Sequence, residues 1–418
     1  MLNNYICTLD IGSSKISASA CRIKSGRIVE IFFESLPFSG LTKGQVTDSI
    51  GLVNTIGTVL KNLKNKSRIP VKLIYVNISG LDISTKHSYA IIPLAERGNK
   101  IIAPQDIREV NEQALILGSN MEDEVIHYIP CGYELDSRKD VLNPLGLYSH
   151  KLGVDLYLIC AKLSAVQNIT HAVNQAGYEV KEMIFSGLAT SKALLNKEQK
   201  GINIFCDIGK DITELLIFKD GSLVDTHIFL MGGDDLSRAL AEELMIPLEL
   251  AEELKKSHGS VGDNINIDEN KEVLVKKEDF YKPIKQKLIC DILTKDAKSF
   301  CAVIKEYIAK NANVVEVNSF IVTGRGVLLE GFLELLDLNT GLSAKLGRIS
   351  DDELLSIVSQ SDILTEHKYI SYITCLGILG HVLRLKKSPS LPCHGTGPER
   401  NVLEKTISKI KEIYQEYF

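Results

Sequence analysis

Nowhere in the chain do two cysteines stand in a Cys-x-x-Cys spacing, although nine of them are scattered singly from Cys7 to Cys393. An odd, dispersed set argues for a reducing compartment and against a disulfide scaffold or a zinc site. The nine histidines show no His-x-x-x-His ligand spacing. No apolar run approaches the roughly 18 residues of a membrane span, and the N-terminus has no signal-peptide pattern. A net charge of −5 leaves no global basic field, so nonspecific nucleic-acid binding is not expected. There is no Gly-x-x-x-x-Gly-Lys-[Ser/Thr], which excludes a P-loop nucleotide site by pattern. The expectation is a cytosolic body.

What is present is a repeat. Ile6 to Leu9 runs into Asp10-Ile11-Gly12-Ser13-Ser14-Lys15, and Ile16 to Cys21 resumes the apolar run. Phe205-Cys206 runs likewise into Asp207-Ile208-Gly209-Lys210-Asp211-Ile212-Thr213, with Leu215 to Phe218 following. Each reads as two strands joined by a tight turn, with an aspartate at the end of the first strand. Two copies suggest two related halves that face one another and offer a shared ligand a glycine turn and a carboxylate each. Glycine lets backbone approach a phosphate, and successive N–H groups form an anion nest. Carboxylates beside it suit hydrated Mg²⁺. A chain of 418 residues, 44% hydrophobic and 24% charged, has room for two or more globular domains.

Further along, the spacing predicts a helix over 47–63 capped by Asp48, with Ile50, Val53, Ile56, Leu60 and Leu63 on one face. A strand is expected from Val71 to Ile78. Residues 83–162 read as a compact insert containing a helix from Pro104 to Leu117 and several strands. Helices are expected over Asp235–Met245, Leu248–Lys256 and Phe280–Lys310, and a strand–glycine turn at Phe320–Gly326. A final buried helix is expected from Tyr372 to Leu385. Residues 388–398, with three prolines and two glycines, read as a flexible linker. In the tail, residues 399–418, Val402, Leu403, Ile407, Ile410, Ile413, Tyr414, Tyr417 and Phe418 recur at threes and fours on one face. An amphipathic helix on a linker suits a membrane interface or a partner groove.

The order of hairpin, hairpin and strand–Thr-Gly-x-Gly–helix resembles the actin-like ATPase superfamily, and within it most closely the bacterial cell-division FtsA family. The resemblance is carried further by Ser39-Gly40-Leu41-Thr42-Lys43-Gly44-Gln45-Val46, Val76-Asn77-Ile78-Ser79-Gly80, Asn143-Pro144-Leu145-Gly146-Leu147 and Ile184-Phe185-Ser186-Gly187-Leu188-Ala189. It implies an α/β, two-lobed fold of duplicated ribonuclease-H-like halves, an inserted subdomain 1C and a C-terminal amphipathic helix. Subdomain IA would comprise 1–82 with 163–198 and 364–387, and subdomain 1C 83–162. Subdomain IIA would comprise 199–227 and 306–363, and subdomain IIB 228–305.

The resemblance also implies roles. Asp10 and Asp207 would hold hydrated Mg²⁺, with ATP as the nucleotide. Gly12, Ser13, Ser14 and Lys15 would contact phosphates opposite Gly209, Lys210 and Thr213. Gly232 and Gly233 match a phosphate-side turn, Glu252 and Lys255 an adenosine-contacting helix, and Gly324, Arg325 and Gly326 an adenine-side turn. Ile407, Ile410, Ile413, Tyr414, Tyr417 and Phe418 would insert into membrane. The implied protein binds ATP, self-assembles, and tethers the C-terminal tail of FtsZ to lipids on the cytoplasmic face of the inner membrane, among other division proteins. A PilM-like pilus platform and a soluble small-molecule kinase of the same superfamily are the alternatives. The chain departs from the family pattern where Lys210, Asp211, Ile212 and Glu214 replace Gly, Gly, Thr and Asp. Arg325 replaces a glycine, and Ala239 stands in place of an aspartate. Asp211 is expected to add negative charge beside the ligand, and weak or absent hydrolysis follows as the expectation.

Overall fold

Gly12 closes the first hairpin by donating its N–H to Lys15 O at 3.0 Å, and the first half is built around that turn. The computed structural model describes residues 5–25, 27–95, 98–195, 200–263, 271–277, 280–359 and 369–387. β1 (Tyr5–Ile11), β2 (Lys15–Lys24) and β3 (Arg27–Pro37) form an antiparallel meander. The short strands β4 (Leu41–Thr42) and β5 (Gln45–Val46) lead into α1 (Ser49–Ser67). Asp48 caps α1 by accepting the Gly51 N–H at 2.9 Å, and Leu52, Ile56, Val59, Leu60 and Leu63 form its buried stripe. Ile50, expected on that face, is exposed because it lies in the first turn, ahead of the point where the helix meets the sheet. β6 (Leu73–Ile78) then pairs parallel to β1.

The inserted segment contains β7 (Ile83–Pro93), β8 (Lys100–Ile101), α2 (Pro104–Gly118), β9 (Asp123–Leu135), β10 (Arg138–Val141), β11 (Tyr148–Ser149) and β12 (Lys151–Lys162). Its sheet runs in the order β10-β9-β12-β7, with β8 and β11 pairing separately. Proline at the start of α2 suits its first turn, where the missing N–H has no partner to lose. Ile107, Val110, Ala114 and Leu115 bury the helix against one face of this sheet. Leu117, in the last turn, is exposed. The chain returns through α3 (Leu163–Gln175), β13 (Glu179–Phe185) and α4 (Ser186–Leu194). β13 completes a sheet of order β13-β6-β1-β2-β3.

The second half repeats this topology. β14 (Ile202–Ile208), β15 (Thr213–Lys219) and β16 (Ser222–Phe229) form a second meander. Its turn closes the same way, Gly209 N–H donating to Ile212 O at 2.9 Å. α5 (Gly233–Leu244), α6 (Leu248–His258), a hairpin of β17 (Glu272–Lys277) and β18 (Phe280–Lys285), and α7 (Gln286–Asn311) follow. The helix expected from Phe280 therefore begins six residues later, because pairing with β17 holds Phe280 to Lys285 extended. β19 (Val317–Thr323), α8 (Phe332–Thr340) and β20 (Ala344–Leu346) complete a sheet of order β16-β15-β14-β19-β20. In both sheets the order is third, second, first, fourth, fifth. The duplication is thus one of topology as well as of motif.

After α9 (Asp352–Val358), α10 (Ile373–Lys387) brings the chain back to the first half, where it packs on α4 and β1. Among the described residues no helix is long and apolar enough to cross a membrane. The linker at 388–398 and the tail residues Ile407, Ile410, Ile413, Tyr414, Tyr417 and Phe418 lie outside the described residues.

Candidate functional site

β1 and β14 both end at the cleft between the halves. Each finishes in Asp-Ile-Gly, so Asp10 and Asp207 face a common space of about 1270 Å³. Gly12, Ser13, Ser14 and Lys15 line one wall, and Gly209 and Lys210 the wall opposite. Gly233, Glu252, Lys255, Gly324, Arg325 and Gly326 line it as well. Thr213 is fully buried with its hydroxyl donating to Met231 O at 2.9 Å, so it braces the turn from behind. Gly232 stands behind the wall too. A Cβ there would lie 2.5 Å from Lys210 O.

The carboxylates are the dominant electrostatic feature. Burial pushes Asp10 up to about 6, with Lys15 opposing the rise. Burial and the neighbouring Asp10 push Asp207 up to about 7. Glu214, at the register partner of Asp207, is raised to about 8 by burial and by Asp207. Lys15 is lowered to about 8 by burial, Asp10 opposing and Arg325 adding to the fall. Three crowded carboxyl groups that resist joint ionisation leave a demand for a cation. Their oxygens do not all lie within 4.8 Å of one another. That spread suits an ion reached through its own water, as Mg²⁺ prefers.

Other residues orient these groups. Asn77 Nδ2 donates to Asp10 Oδ1 at 2.8 Å and to Ser186 Oγ at 3.0 Å, while Asn77 Oδ1 accepts the Ile11 N–H at 2.7 Å. Gly324 has φ +94°, and a Cβ on it would fall 2.2 Å from Ile208 O and 2.5 Å from Asp207 Oδ1. The third glycine turn is therefore packed directly on the end of β14, and any side chain there would displace Asp207. Lys15 Nζ donates to Ser371 O, in the segment leading to α10, and lies 5.4 Å over the Tyr372 ring. Asn77, Ser79, Ser186, Glu214 and Tyr372 join the site without having been expected there. Asn77, Ser79 and Ser186 fall in stretches, Val76–Gly80 and Ile184–Ala189, that the sequence marks, and Glu214 is one of its departures from the family pattern.

Two expected residues are engaged with each other. Lys255 Nζ lies 2.6 Å from Glu252 Oε2 and donates to Ser237 Oγ at 2.6 Å and Gly233 O at 2.5 Å. Ser237 Oγ in turn donates to Glu252 Oε2. This network ties α6 to the start of α5 and holds Glu252 down to about 2, against the opposing effect of burial. Asp211 also departs from expectation. Its side chain, 4% exposed, does not line the cleft. Oδ1 accepts from Ser13 Oγ, and Oδ2 accepts the Lys43 N–H at 2.6 Å. Because the first half offers it two donors, its charge turns to that wall instead of to the ligand space.

The donor set fits a magnesium nucleotide: hard oxygen ligands, a cation in Lys15, and glycine backbone on both sides of one cleft. The carboxylates would hold the ion through water, and the two turns would face the phosphates. A bound metal would supply charge neutralisation for the phosphate oxygens.

Residues 204–377 match the family model of the cell division protein FtsA, and residues 80–160 match that of the SHS2 domain inserted in FtsA. The FtsA of Borreliella burgdorferi is 25% identical over 352 residues, covering 83% of this chain and 85% of that one. The Bacillus subtilis FtsA is 24% identical over 335 residues, covering 80% and 76%. That of Escherichia coli K12 is 26% identical over 268 residues, covering 63% of each. Among solved structures, the PilM–PilN type IV pilus biogenesis complex superposes with a TM-score of 0.59 at 15% identity, over 91% of this chain and 98% of that one. MreB5 of Spiroplasma citri bound to ADP superposes with a TM-score of 0.51 at 13% identity, over 88% and 98%. The fold is that of the actin-like ATPases, carrying an SHS2 insert.

Proposed function

The chain belongs to the FtsA family of cell-division proteins as a divergent member, and we propose that it is an ATP-binding membrane tether of the division machinery. In this reading ATP with Mg²⁺ occupies the cleft between the duplicated hairpins, on Asp10, Asp207 and the two glycine turns. Copies of the chain assemble with one another, and the region 228–305 receives the C-terminal tail of FtsZ. The amphipathic tail, residues 399–418, then holds the assembly on the cytoplasmic face of the membrane. Nucleotide acts by biasing a closed, assembly-competent population, so slow or absent hydrolysis is compatible with function.

The observation that carries the reading is the facing pair of Asp-Ile-Gly turns, each at the end of the first strand of an identically ordered sheet. The two FtsA family matches favour this reading over a pilus platform or a small-molecule kinase.

The deciding experiment is liposome co-sedimentation with Mg-ATP, comparing the full chain with a version ending at Ser390. Pelleting of the full chain alone supports the tether. Equal behaviour of the two removes the tail from membrane binding. In parallel, failure of an FtsZ tail peptide to bind in a fluorescence titration overturns the partner assignment.

A further inference from the structure

Away from the cleft, one end of the inserted sheet's second face, beyond the part that Tyr157 and Ile159 pack on the first half, gathers three chemically different ligand groups. β12 lies between β7 and β9. His87 on β7 pairs in register with Tyr157, and Asp155 with Tyr89. His87 and Asp155 are therefore diagonal neighbours on one face, within reach of long side chains. On the other side of β12, Asp155 partners Gly132 while the next residue, Leu156, partners Pro130. Cys131 is the unpaired residue of that bulge, and a bulge re-aims the side chain it carries.

One ligand atom from each of His87, Cys131 and Asp155 lies within 4.8 Å of the others. His87 Nδ1 stands 3.0 Å from both carboxylate oxygens of Asp155. The imidazole is set edge-on against Tyr157, with ring centroids 5.2 Å apart. The Cys131 thiol makes a long contact, 3.8 Å, to Ile129 O. The opposite face is packed on α2 through Ala90, Val154 and Leu156, so the strands form a rigid frame. The His87 and Asp155 side chains are 54% and 41% exposed, leaving the face open to an ion.

We propose that His87, Cys131 and Asp155 form a Zn²⁺ site with water as fourth ligand. A thiolate, an imidazole and a carboxylate are the ligands zinc takes, at about 2.0–2.3 Å in tetrahedral geometry. Hard ions such as Mg²⁺ and Ca²⁺ take oxygen instead. Binding forms a zinc–sulfur bond and releases the thiol proton to solvent, and the His87–Asp155 hydrogen bond gives way to two metal bonds. The ion would clamp β7, β12 and β9 on the face that α2 does not cover. The site is invisible to motif spacing because its ligands lie on three separate strands and meet only through the sheet register.

The test uses the full chain freed of metal by chelation and titrated with Co²⁺, then with Zn²⁺. The expected result is a thiolate-to-cobalt charge-transfer band saturating at one ion per chain and abolished by Zn²⁺. Cys131→Ser should remove the band. His87→Ala, at an exposed position, should weaken Zn²⁺ binding in calorimetry by more than the roughly 10–100-fold that loss of an outer-shell partner costs. Absence of the band in the unsubstituted chain, or its persistence in Cys131→Ser, overturns the proposal.

Discussion

Ser13 and Asp211, 198 residues apart in sequence, are joined by a hydrogen bond across the cleft, Ser13 Oγ donating to Asp211 Oδ1. The second carboxylate oxygen takes the Lys43 N–H at 2.6 Å, and Ser79 Oγ donates to Glu214 Oε1. Asp211 and Glu214 are two of the positions at which this chain departs from its family's pattern. The substituted hairpin is thus bolted to the opposite half at three points.

Replacing Asp211 by glycine should loosen that closure. Two hydrogen bonds to a buried carboxyl group are lost, each worth about 0.5–1.5 kcal/mol, so a loss of about 1–3 kcal/mol is expected. Small-angle scattering of the nucleotide-free chain should report a larger radius of gyration, and thermal melting a lower Tm. Unchanged values for both would dismiss the latch.

Asp207→Asn should move stability and ligand affinity in opposite directions. Without nucleotide, removing one of three crowded carboxyl groups relieves repulsion on Asp10 and Glu214, so Tm should rise. With Mg-ATP the same change would remove one of the two carboxylates proposed to hold the ion. Affinity should fall about tenfold or more, 1.4 kcal/mol per decade. Differential scanning calorimetry with and without Mg-ATP reads both effects in one preparation.

Glu182 makes stability depend on pH. Its Oε1 is buried without a hydrogen-bond partner, and burial raises the carboxyl from 4.5 to about 7, with Lys181 opposing the rise. The folded state therefore holds a proton that the unfolded chain has already lost. Its contribution to stability is greatest below about 4.5, declines as pH rises through 7, and is flat beyond it. Glu182→Gln should make the overall decline shallower, leaving the share of the cleft carboxyl groups, and at pH 8 raise Tm by about 2–4 °C, the shift expected for 1 kcal/mol. Melting curves of both proteins at pH 5 and pH 8 check the sign.

Gly377 lets α10 touch α4. A Cβ there would lie 2.2 Å from Ala189 O, a contact with backbone that no rotamer relieves. Gly377→Ala should cost about 1–3 kcal/mol as an overpacked core position. It should also disturb the segment just before α10 that holds Lys15 at Ser371 O. Denaturant unfolding measures the first effect, and Mg-ATP titration the second.

Much of the architecture was readable from residue order. The two Asp-Ile-Gly hairpins, the α1 stripe and the glycine turn after β19 each depend on local chemistry: alternation, capping, and a backbone that only glycine permits. Phe280 to Lys285 reads locally as the start of the long helix because it carries no local signal of its partner strand. Glu252 and Lys255 were legible as neighbours on a helix, but their engagement with Ser237 required α5 to be docked beside α6.

By itself, then, the residue order determined that the chain is duplicated, where each half carries its carboxylate, and where most helices and strands run, since these follow from interactions a few residues in range. The β17–β18 hairpin, which needs a partner strand, is the exception. Only the tertiary structure decided where long polar side chains point. Asp211 turns to Ser13, Lys15 to Ser371, and His87, Cys131 and Asp155 toward one another, because a charged group takes the nearest donors or acceptors that folding brings within about 3 Å. Those partners come from strands and lobes dozens to hundreds of residues away.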